Sequence, residues 1–396
     1  MKFVNLPKKF NQIGLSVLIF IVTAVGRVIY SADRLPPDPG YGFFEESQNS
    51  NLWVIFRPEG GYLDVPRRLL SEVVVIFPIR YSAFIGTGLW VLLCALSALV
   101  VMFVILRAGF SFLIALVSGL LVVLPPSASE SQVGNQSVIK WFLLLLLIFA
   151  LSLPREKQFK ISLLIPLVLI AGISNPVTFL VFGSFVLLTL TRREQLLISR
   201  NRLIILAFLL GFVIEFAAWR GTGVGVHKYD DSVYQLWPGA GAFWYYNFLT
   251  PPLTCLVALL LKIRKFRFPE PSVLIVNLAC YGLVVWSGTY YLGGIADRYL
   301  VVPQILSFVV FLLYLTENLS AIKRFQVFLC AVYACVAIIS LVYWYQASWF
   351  LSSGPRWSEE IDRRVIECKN SAIESVTVEQ FMGNFEITCR DLVSRT

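Results

Sequence analysis

The stretch AFIGTGLWVLLCALSALVVMFVIL at positions 83–106 decides the class of fold. It carries no charged residue, and an α-helix needs about 20 apolar residues to cross the hydrocarbon core of a bilayer. We find ten further apolar stretches, several of them shorter, near 11–30, 109–124, 138–153, 161–173, 177–191, 203–219, 249–263, 271–287, 299–316 and 324–345. The pattern predicts an all-α polytopic membrane protein with about 11 transmembrane helices.

Composition excludes several classes of protein. Of the 396 residues 57% are hydrophobic and 14% are charged, and the mean hydropathy is +0.75. A soluble globular protein has about 25% charged residues, so a soluble enzyme or a disordered protein is ruled out. The net charge of +9 comes from basic residues in short segments between apolar stretches. That placement indicates membrane topology, so we expect no nucleic-acid partner.

The distribution of basic residues predicts the orientation in the membrane. With a cytoplasmic N-terminus and a retained first helix, the basic segments 154–160, 191–202 and 262–271 all return to the cytoplasmic side. This model needs Ser174-Asn175-Pro176 to split 161–191 into two short passes. We therefore divide the chain into a transmembrane domain and a small extracytoplasmic C-terminal domain. The transmembrane domain covers 1–345, with outer loops 31–82 and 220–248, and the C-terminal domain covers 346–396.

The cysteines and the single histidine give no metal motif. Cys368 and Cys389 both lie in the exported tail, where they could form a disulfide or remain free. His227, the only histidine, is either a solvated loop residue or part of a site in the 220–248 loop. No zinc spacing is present, so we predict no cofactor and leave a divalent metal open.

The first outer loop is the densest polar region. Its acids include Asp38, Glu45, Glu46 and Asp64, and Arg67 and Arg68 follow at once. Pro66 suits the first turn of a helix, so 65–76 is predicted to be an amphipathic helix in the membrane interface, with its arginines toward the lipid headgroups. The alternative is an interfacial anchor with no catalytic role.

Carboxylates beside arginines at headgroup depth suit one reaction in particular. Transfer of a sugar from a lipid-linked phosphate needs a base for the acceptor hydroxyl and cations for the leaving phosphate. Asp297 and Arg298, at the start of the tenth apolar stretch, are either a phosphate contact or a capping pair. Glu215, at membrane depth, either faces a polar cavity or pairs with Arg220.

Short motifs resemble the GT-C glycosyltransferase superfamily of bacterial polytopic proteins. One is Phe56-x-Pro58-x-x-Gly61-Tyr62-Leu63 leading to Arg67 and Arg68, and another is Arg298-Tyr299 with Pro303. The resemblance implies a polyprenyl-phosphate sugar as donor, a glycan or lipid as acceptor, and a location in the bacterial inner membrane. It also implies that the base is one of the loop acids. The candidates are catalytic Glu45, Glu46, Asp64 and Asp38, with Arg67, Arg68, Arg298, Tyr62 and His227 binding substrate.

Two other classes compete with this interpretation. A lipid-linked polysaccharide polymerase or ligase would use His227 or the arginines of the 220–248 loop. A transporter or flippase would show broken helices and polar residues at the membrane midplane. The spans carry almost no charge beyond Glu215, and the acids gather at one face, which favours chemistry at the interface.

Overall fold

The computed structural model describes thirteen stretches of the chain. The described residues are 6–29, 32–34, 63–124, 139–153, 157–175, 177–190, 199–222, 251–260, 270–293, 297–318, 355–371, 373–380 and 383–396. The helices are α1 (Leu6–Val28), α2 (Val65–Val75), α3 (Ser82–Ala108), α4 (Phe112–Val123), α5 (Ile139–Ser152), α6 (Ile161–Gly172), α7 (Thr178–Leu190), α8 (Ser199–Thr222), α9 (Pro251–Leu260), α10 (Glu270–Gly293), α11 (Asp297–Asn318), α12 (Trp357–Asn370) and α13 (Cys389–Ser394). A short 3-10 helix, Ile79–Tyr81, precedes α3, and strands β1 (Ser375–Gln380) and β2 (Gly383–Thr388) lie between α12 and α13. The described part is thus predominantly helical, in agreement with the predicted class.

Helices occupy ten of the eleven apolar stretches found in the sequence, and the eleventh, 324–345, lies outside the described residues. Two of the described helical segments, Asn11–Val28 and Ile79–Ala108, are long and apolar enough to cross a membrane. Seven others are apolar but shorter. This supports a membrane protein at the coarse level.

The helices pack around one large apolar core. In α1, Ser16, Phe20 and Ala24 are buried at intervals of four residues, while Leu18 and Val22 are exposed on the other face. Gly119 in α4 allows a close contact with α1, because a Cβ there would lie 2.5 Å from the Phe20 ring. The exposed leucine and valine side chains are the outward faces expected of helices whose surroundings are apolar.

The predicted division of 161–191 into two halves is confirmed. α6 ends at Gly172 and α7 begins at Thr178, and the intervening Ser174 and Asn175 are buried. Thr178 Oγ1 donates to the carbonyl of Ala171 at 2.9 Å, and Asn175 Oδ1 accepts from the N–H of Val177 at 3.0 Å. These side chains replace part of the hydrogen bonding that the interrupted helix loses.

The C-terminal tail forms a small unit with a disulfide, and its apolar core is shared with Val74 of α2, with Ile79 and with Ala83 of α3. Trp357 and Ile361 of α12 pack against the antiparallel hairpin β1–β2. Cys368 and Cys389, whose pairing the sequence left open, are disulfide-bonded with their Cα atoms 5.3 Å apart. The hairpin was not predicted, and it is the part of the described chain that departs from an all-α fold.

The tail contacts both described ends of the segment between α1 and α3. Ser358 N–H and Oγ donate to the carboxylate of Asp33, and Trp357 N–H donates to the Asp33 carbonyl at 2.8 Å. Trp357 Nε1 donates to the carbonyl of Ile79 at 2.7 Å, and the Ile79 N–H donates to the carbonyl of Arg395 at 3.0 Å. These hydrogen bonds attach the tail to the segment between α1 and α3 at both of its described parts.

Candidate functional site

Asp64 is the centre of a buried group of charged residues at the start of α2. Its side chain is 4% exposed, and Oδ2 lies 3.1 Å from Nζ of Lys140 in α5. Arg67 Nε lies 3.7 Å from the same oxygen, and the charge of Arg68 also acts on Asp64. Two cations therefore share one carboxylate oxygen beneath the first turn of α2.

The two arginines face the protein interior, so the prediction that they face the headgroups is wrong. Arg67 and Arg68 are 7% and 2% exposed. The outward side of α2 and of the two residues after it is apolar, with Leu69, Val73, Ile76 and Phe77 exposed. The helix is amphipathic as predicted, but its polar face binds the acid before it because a buried carboxylate stabilises cations better than an apolar contact does.

Glu215 of α8 meets the chain immediately before α2. Its Oε2 accepts a hydrogen bond from the N–H of Leu63 at 3.4 Å, and its charge interacts with Asp64 and Lys140. We call Asp64, Arg67, Arg68, Lys140 and Glu215 the Asp64 cluster. It joins the segment before α2 to helices α5 and α8, three elements that are far apart in the sequence.

A close helix crossing brings Glu215 to this position. A Cβ on Gly211 of α8 would lie 3.4 Å from the Cα of Gly172 at the end of α6, so the two backbones almost touch. Glu215 follows one helical turn after Gly211. Ile173, after α6, packs on the buried pair Leu63 and Val65. The break between α6 and α7 is therefore adjacent to the entry of α2, beside the Asp64 cluster.

The electrostatics of Asp64 suit a proton acceptor. Burial raises the pKa of the Asp64 carboxyl above its ordinary value, although the positive charges of Lys140 and Arg68 oppose this rise. A raised carboxyl pKa moves toward neutral pH, where a general base works best. Three cations and two carboxylates also leave the cluster with an excess of positive charge, which favours an anionic ligand nearby.

The structure tests only part of the predicted site. It brings together Asp64, Arg67 and Arg68. Arg298 is the second residue of α11, but its side chain is not among those described. The remaining predicted residues lie outside the described part of the chain: Asp38, Glu45, Glu46, Tyr62 and His227. Their roles stay predictions.

Sequence reasoning missed Lys140. Its ion pair with Asp64 joins residues 76 positions apart, which no local pattern reveals. One signal was available, because Lys140 is a single charge at the start of the apolar stretch 138–153, where an ionisable residue is costly unless it is paired. Glu215 gave the same signal, and its described contact is with the backbone of Leu63, whereas the side chain of Arg220 is not among those described.

The described residues contain no group of three or more histidine, cysteine, aspartate or glutamate side chains that could hold a metal ion. Within the Asp64 cluster, Lys140 and Arg67 already neutralise the carboxylate oxygen that would face a cation. The donor set of this cluster thus fits an anion or a hydrogen-bonding ligand better than a divalent metal.

Comparison with protein-family models found none that matches the chain, and comparison with curated proteins found no match either. The fold and the cluster define a predominantly helical protein, with two helices suited to a membrane and a buried group of acids and bases.

Proposed function

We propose that this protein is an integral membrane glycosyltransferase. It moves a sugar from a polyprenyl-phosphate donor to a glycan or lipid acceptor on the extracytoplasmic side of a bacterial inner membrane. The observation that carries the proposal is the pairing of the buried Asp64 carboxylate with Lys140 and Arg67 at the start of an amphipathic helix. An acid with a raised pKa and several cations are the two components that this transfer needs.

The chemistry assigns a separate role to each component. A carboxylate accepts the proton of the acceptor hydroxyl while the acceptor oxygen bonds to the anomeric carbon. The bond between that carbon and the phosphate oxygen breaks, and polyprenyl phosphate leaves. Asp64 is the described candidate for the base, beside the loop acids Glu45, Glu46 and Asp38. Lys140, Arg67 and Arg68 stabilise the charge that develops on the leaving phosphate.

The outward face of α2 is apolar enough to accommodate the lipid tail of the donor. Leu69, Val73 and Ile76 are exposed on the side opposite the buried arginines. In the proposed arrangement this face contacts acyl chains, so a polyprenyl chain can lie in the membrane while its phosphate approaches the cations.

A second function, lipid or solute translocation, is favoured by one observation. The break at Ser174 and Asn175 is buried and adjacent to charged residues, as in transporters with discontinuous helices. The glycosyltransferase explains more, because it also accounts for the paired Asp64 and Lys140. A translocator would move the intact lipid-linked sugar across the bilayer and leave its glycosidic bond unbroken.

The test is genetic and chemical. Deletion of the gene in the native organism should remove one sugar from an envelope glycan or lipid, detected by mass spectrometry of extracted envelope material. Wild-type protein should restore it, and Asp64→Asn should reduce restoration at least about tenfold. A strain without the gene whose glycans and lipids are unchanged would contradict the proposal.

Two further variants make the result specific. Asp362→Asn neutralises another aspartate that forms an ion pair, but its partner, Arg80, is about half exposed. This variant should restore the sugar fully. If Asp64→Asn lowers the amount of protein in the membrane, the double variant Asp64→Asn with Lys140→Gln removes both charges together. It should insert normally and still lack transfer.

A further inference from the structure

Glu215 has a buried oxygen that its contacts with the described residues do not use. The residue is 4% exposed, and Oε2 accepts the hydrogen bond from Leu63. Over the part of the chain that the structure describes, Oε1 of Glu215 has no hydrogen-bond partner, and the same holds for Oδ1 of Asp64. Buried carboxylate oxygens without a donor are costly, so each such group calls for a ligand or an ordered water.

The surroundings restrict the ligand that Glu215 can bind. A metal ion is disfavoured because Lys140 and Arg67 already place positive charge on Asp64. An anion is disfavoured at Glu215 itself, since two carboxylates would repel it. The remaining class is a neutral molecule with hydroxyl groups, because a hydroxyl group can donate a hydrogen bond to a carboxyl oxygen.

We infer that Glu215 Oε1 binds a hydroxyl group of the transferred sugar, which makes Glu215 a specificity-determining residue. This inference rests on the proposed function, because the sugar ring lies beside the phosphate that Lys140, Arg67 and Arg68 bind. Glu215 reaches that position through the close crossing of α8 over the end of α6, at Gly211 and Gly172. Glu215 thus recognises the sugar, whereas the cations bind the phosphate.

Asn175 adds a hydrogen-bond donor in the break between α6 and α7. It lies in the buried break after Ile173, the residue that packs on the pair Leu63 and Val65. Its Oδ1 accepts from the N–H of Val177, whereas its Nδ2 is buried without a hydrogen-bond partner in the described chain. Sugar hydroxyls donate and accept, so an unused donor and an unused acceptor at one junction suit a polyol better than a purely apolar ligand.

Binding can be measured without any transfer reaction. The full-length protein in lipid nanodiscs is titrated with polyprenyl phosphate and with its mannosyl, glucosyl, galactosyl and arabinosyl esters, and bound lipid is counted by native mass spectrometry. The preference is the Kd of polyprenyl phosphate divided by the Kd of the best sugar ester. Loss of a hydrogen bond to a charged group changes affinity by roughly tenfold or more.

The wild-type protein should prefer one ester by at least about tenfold, and Glu215→Ala should reduce that preference to within about twofold. The Kd of polyprenyl phosphate itself should stay unchanged in this variant. Glu215→Gln keeps an oxygen for Leu63 and is used if the alanine variant does not fold, with an expected intermediate preference. Glu317→Gln is the matched control, because it neutralises an acid near the end of α11 that accepts a hydrogen bond from Ser272. This variant should keep the wild-type preference.

An unchanged preference in Glu215→Ala would overturn the inference, and so would a loss of affinity for polyprenyl phosphate equal to the loss for the ester. A wild-type protein that binds all five lipids equally would overturn it too. The proposed function is judged separately by transfer. If the protein shows the Glu215-dependent preference but transfers no sugar, this inference stands and the proposed glycosyltransferase activity is rejected.

Discussion

The carboxylate of Asp64 and the ammonium group of Lys140 form a buried ion pair, with 3.1 Å between Oδ2 and Nζ. The two residues come from the start of α2 and from the first turn of α5. The pair therefore ties the amphipathic helix to the helical core, and it holds a carboxylate and a cation together where the proposed chemistry occurs.

Removing one partner of this pair should destabilise the protein. Lys140→Gln leaves the buried charge of Asp64 less well compensated. Removing one partner of a buried ion pair lowers the free energy of unfolding by about 3–5 kcal/mol. We expect a clear fall in the unfolding temperature of the detergent-solubilised protein, partly recovered in the double variant with Asp64→Asn. Arg80→Gln, which breaks an exposed pair with Asp362, should cost less than about 1 kcal/mol. Equal losses for the two single variants would show that the Asp64 pair is not buried as described.

The outward face of α2 should contact lipid acyl chains. A nitroxide on Ile76→Cys, in a background without other free thiols, should collide more often with oxygen than with a water-soluble nickel chelate in liposomes. Ile76 is 78% exposed in the protein, and Phe84 at the start of α3 is exposed as well. Ile366→Cys in α12, also well exposed, should show the opposite accessibility because the tail is predicted to lie in water. The same accessibility at both positions would contradict this placement of α2.

The stability of the tail should depend on pH through Glu360. Burial acts to raise its pKa, but the N–H of Glu379 and the guanidinium groups of Arg364 and Arg363 outweigh burial and hold the pKa of Glu360 below its ordinary value. A lowered carboxyl pKa stabilises the folded state above the unfolded pKa, about 4.3, and this contribution is lost as pH falls through the folded pKa.

Hydrogen exchange of the 375–388 hairpin, corrected for the intrinsic rate, measures this effect. Protection should fall below about pH 4 in the wild-type protein. It should already be reduced at pH 7 in Glu360→Gln, with a flatter pH dependence. Glu374→Gln, an exposed acid before β1, is the control and should behave as wild type. An unchanged pH profile in Glu360→Gln would assign the acid sensitivity to another group.

The disulfide between Cys368 and Cys389 should also stabilise the C-terminal tail. The two cysteines are 21 residues apart, and a loop of that length corresponds to about 3 kcal/mol in the chain-entropy account. Cys389→Ser should therefore speed hydrogen exchange in the hairpin and make it insensitive to reductant, while wild-type exchange should rise on reduction. Cys280→Ala, which removes a free thiol in α10, should leave tail exchange unchanged. Wild-type exchange that does not respond to reductant would contradict a stabilising disulfide.

The helices were predictable because long apolar stretches have few alternatives to a helix. The stretch 83–106 lies within α3, and the polar interruption at Ser174 and Asn175 separates α6 from α7. The hairpin at 375–388 was missed, since two six-residue strands in a polar tail give only a weak alternating pattern.

The candidate site was only half predictable. Asp64, Arg67 and Arg68 are near neighbours in the sequence, so their association was visible. Lys140 was not, because tertiary packing alone brings α5 to α2. The predicted orientation of the arginines was wrong. The helical period shows that one face of α2 is polar, but it does not show whether that face contacts water or a buried acid.

The most direct test of the central claim is formation of the leaving product. Purified protein in nanodiscs is incubated with polyprenyl-phosphate sugars and an envelope extract as acceptor, and free polyprenyl phosphate is measured by liquid chromatography and mass spectrometry. We predict that wild-type protein releases polyprenyl phosphate from one donor in step with the appearance of a glycosylated acceptor, and that Asp64→Asn does so at least about tenfold more slowly. No release from any donor, or equal release by the Asp64→Asn variant and the wild type, would contradict the account.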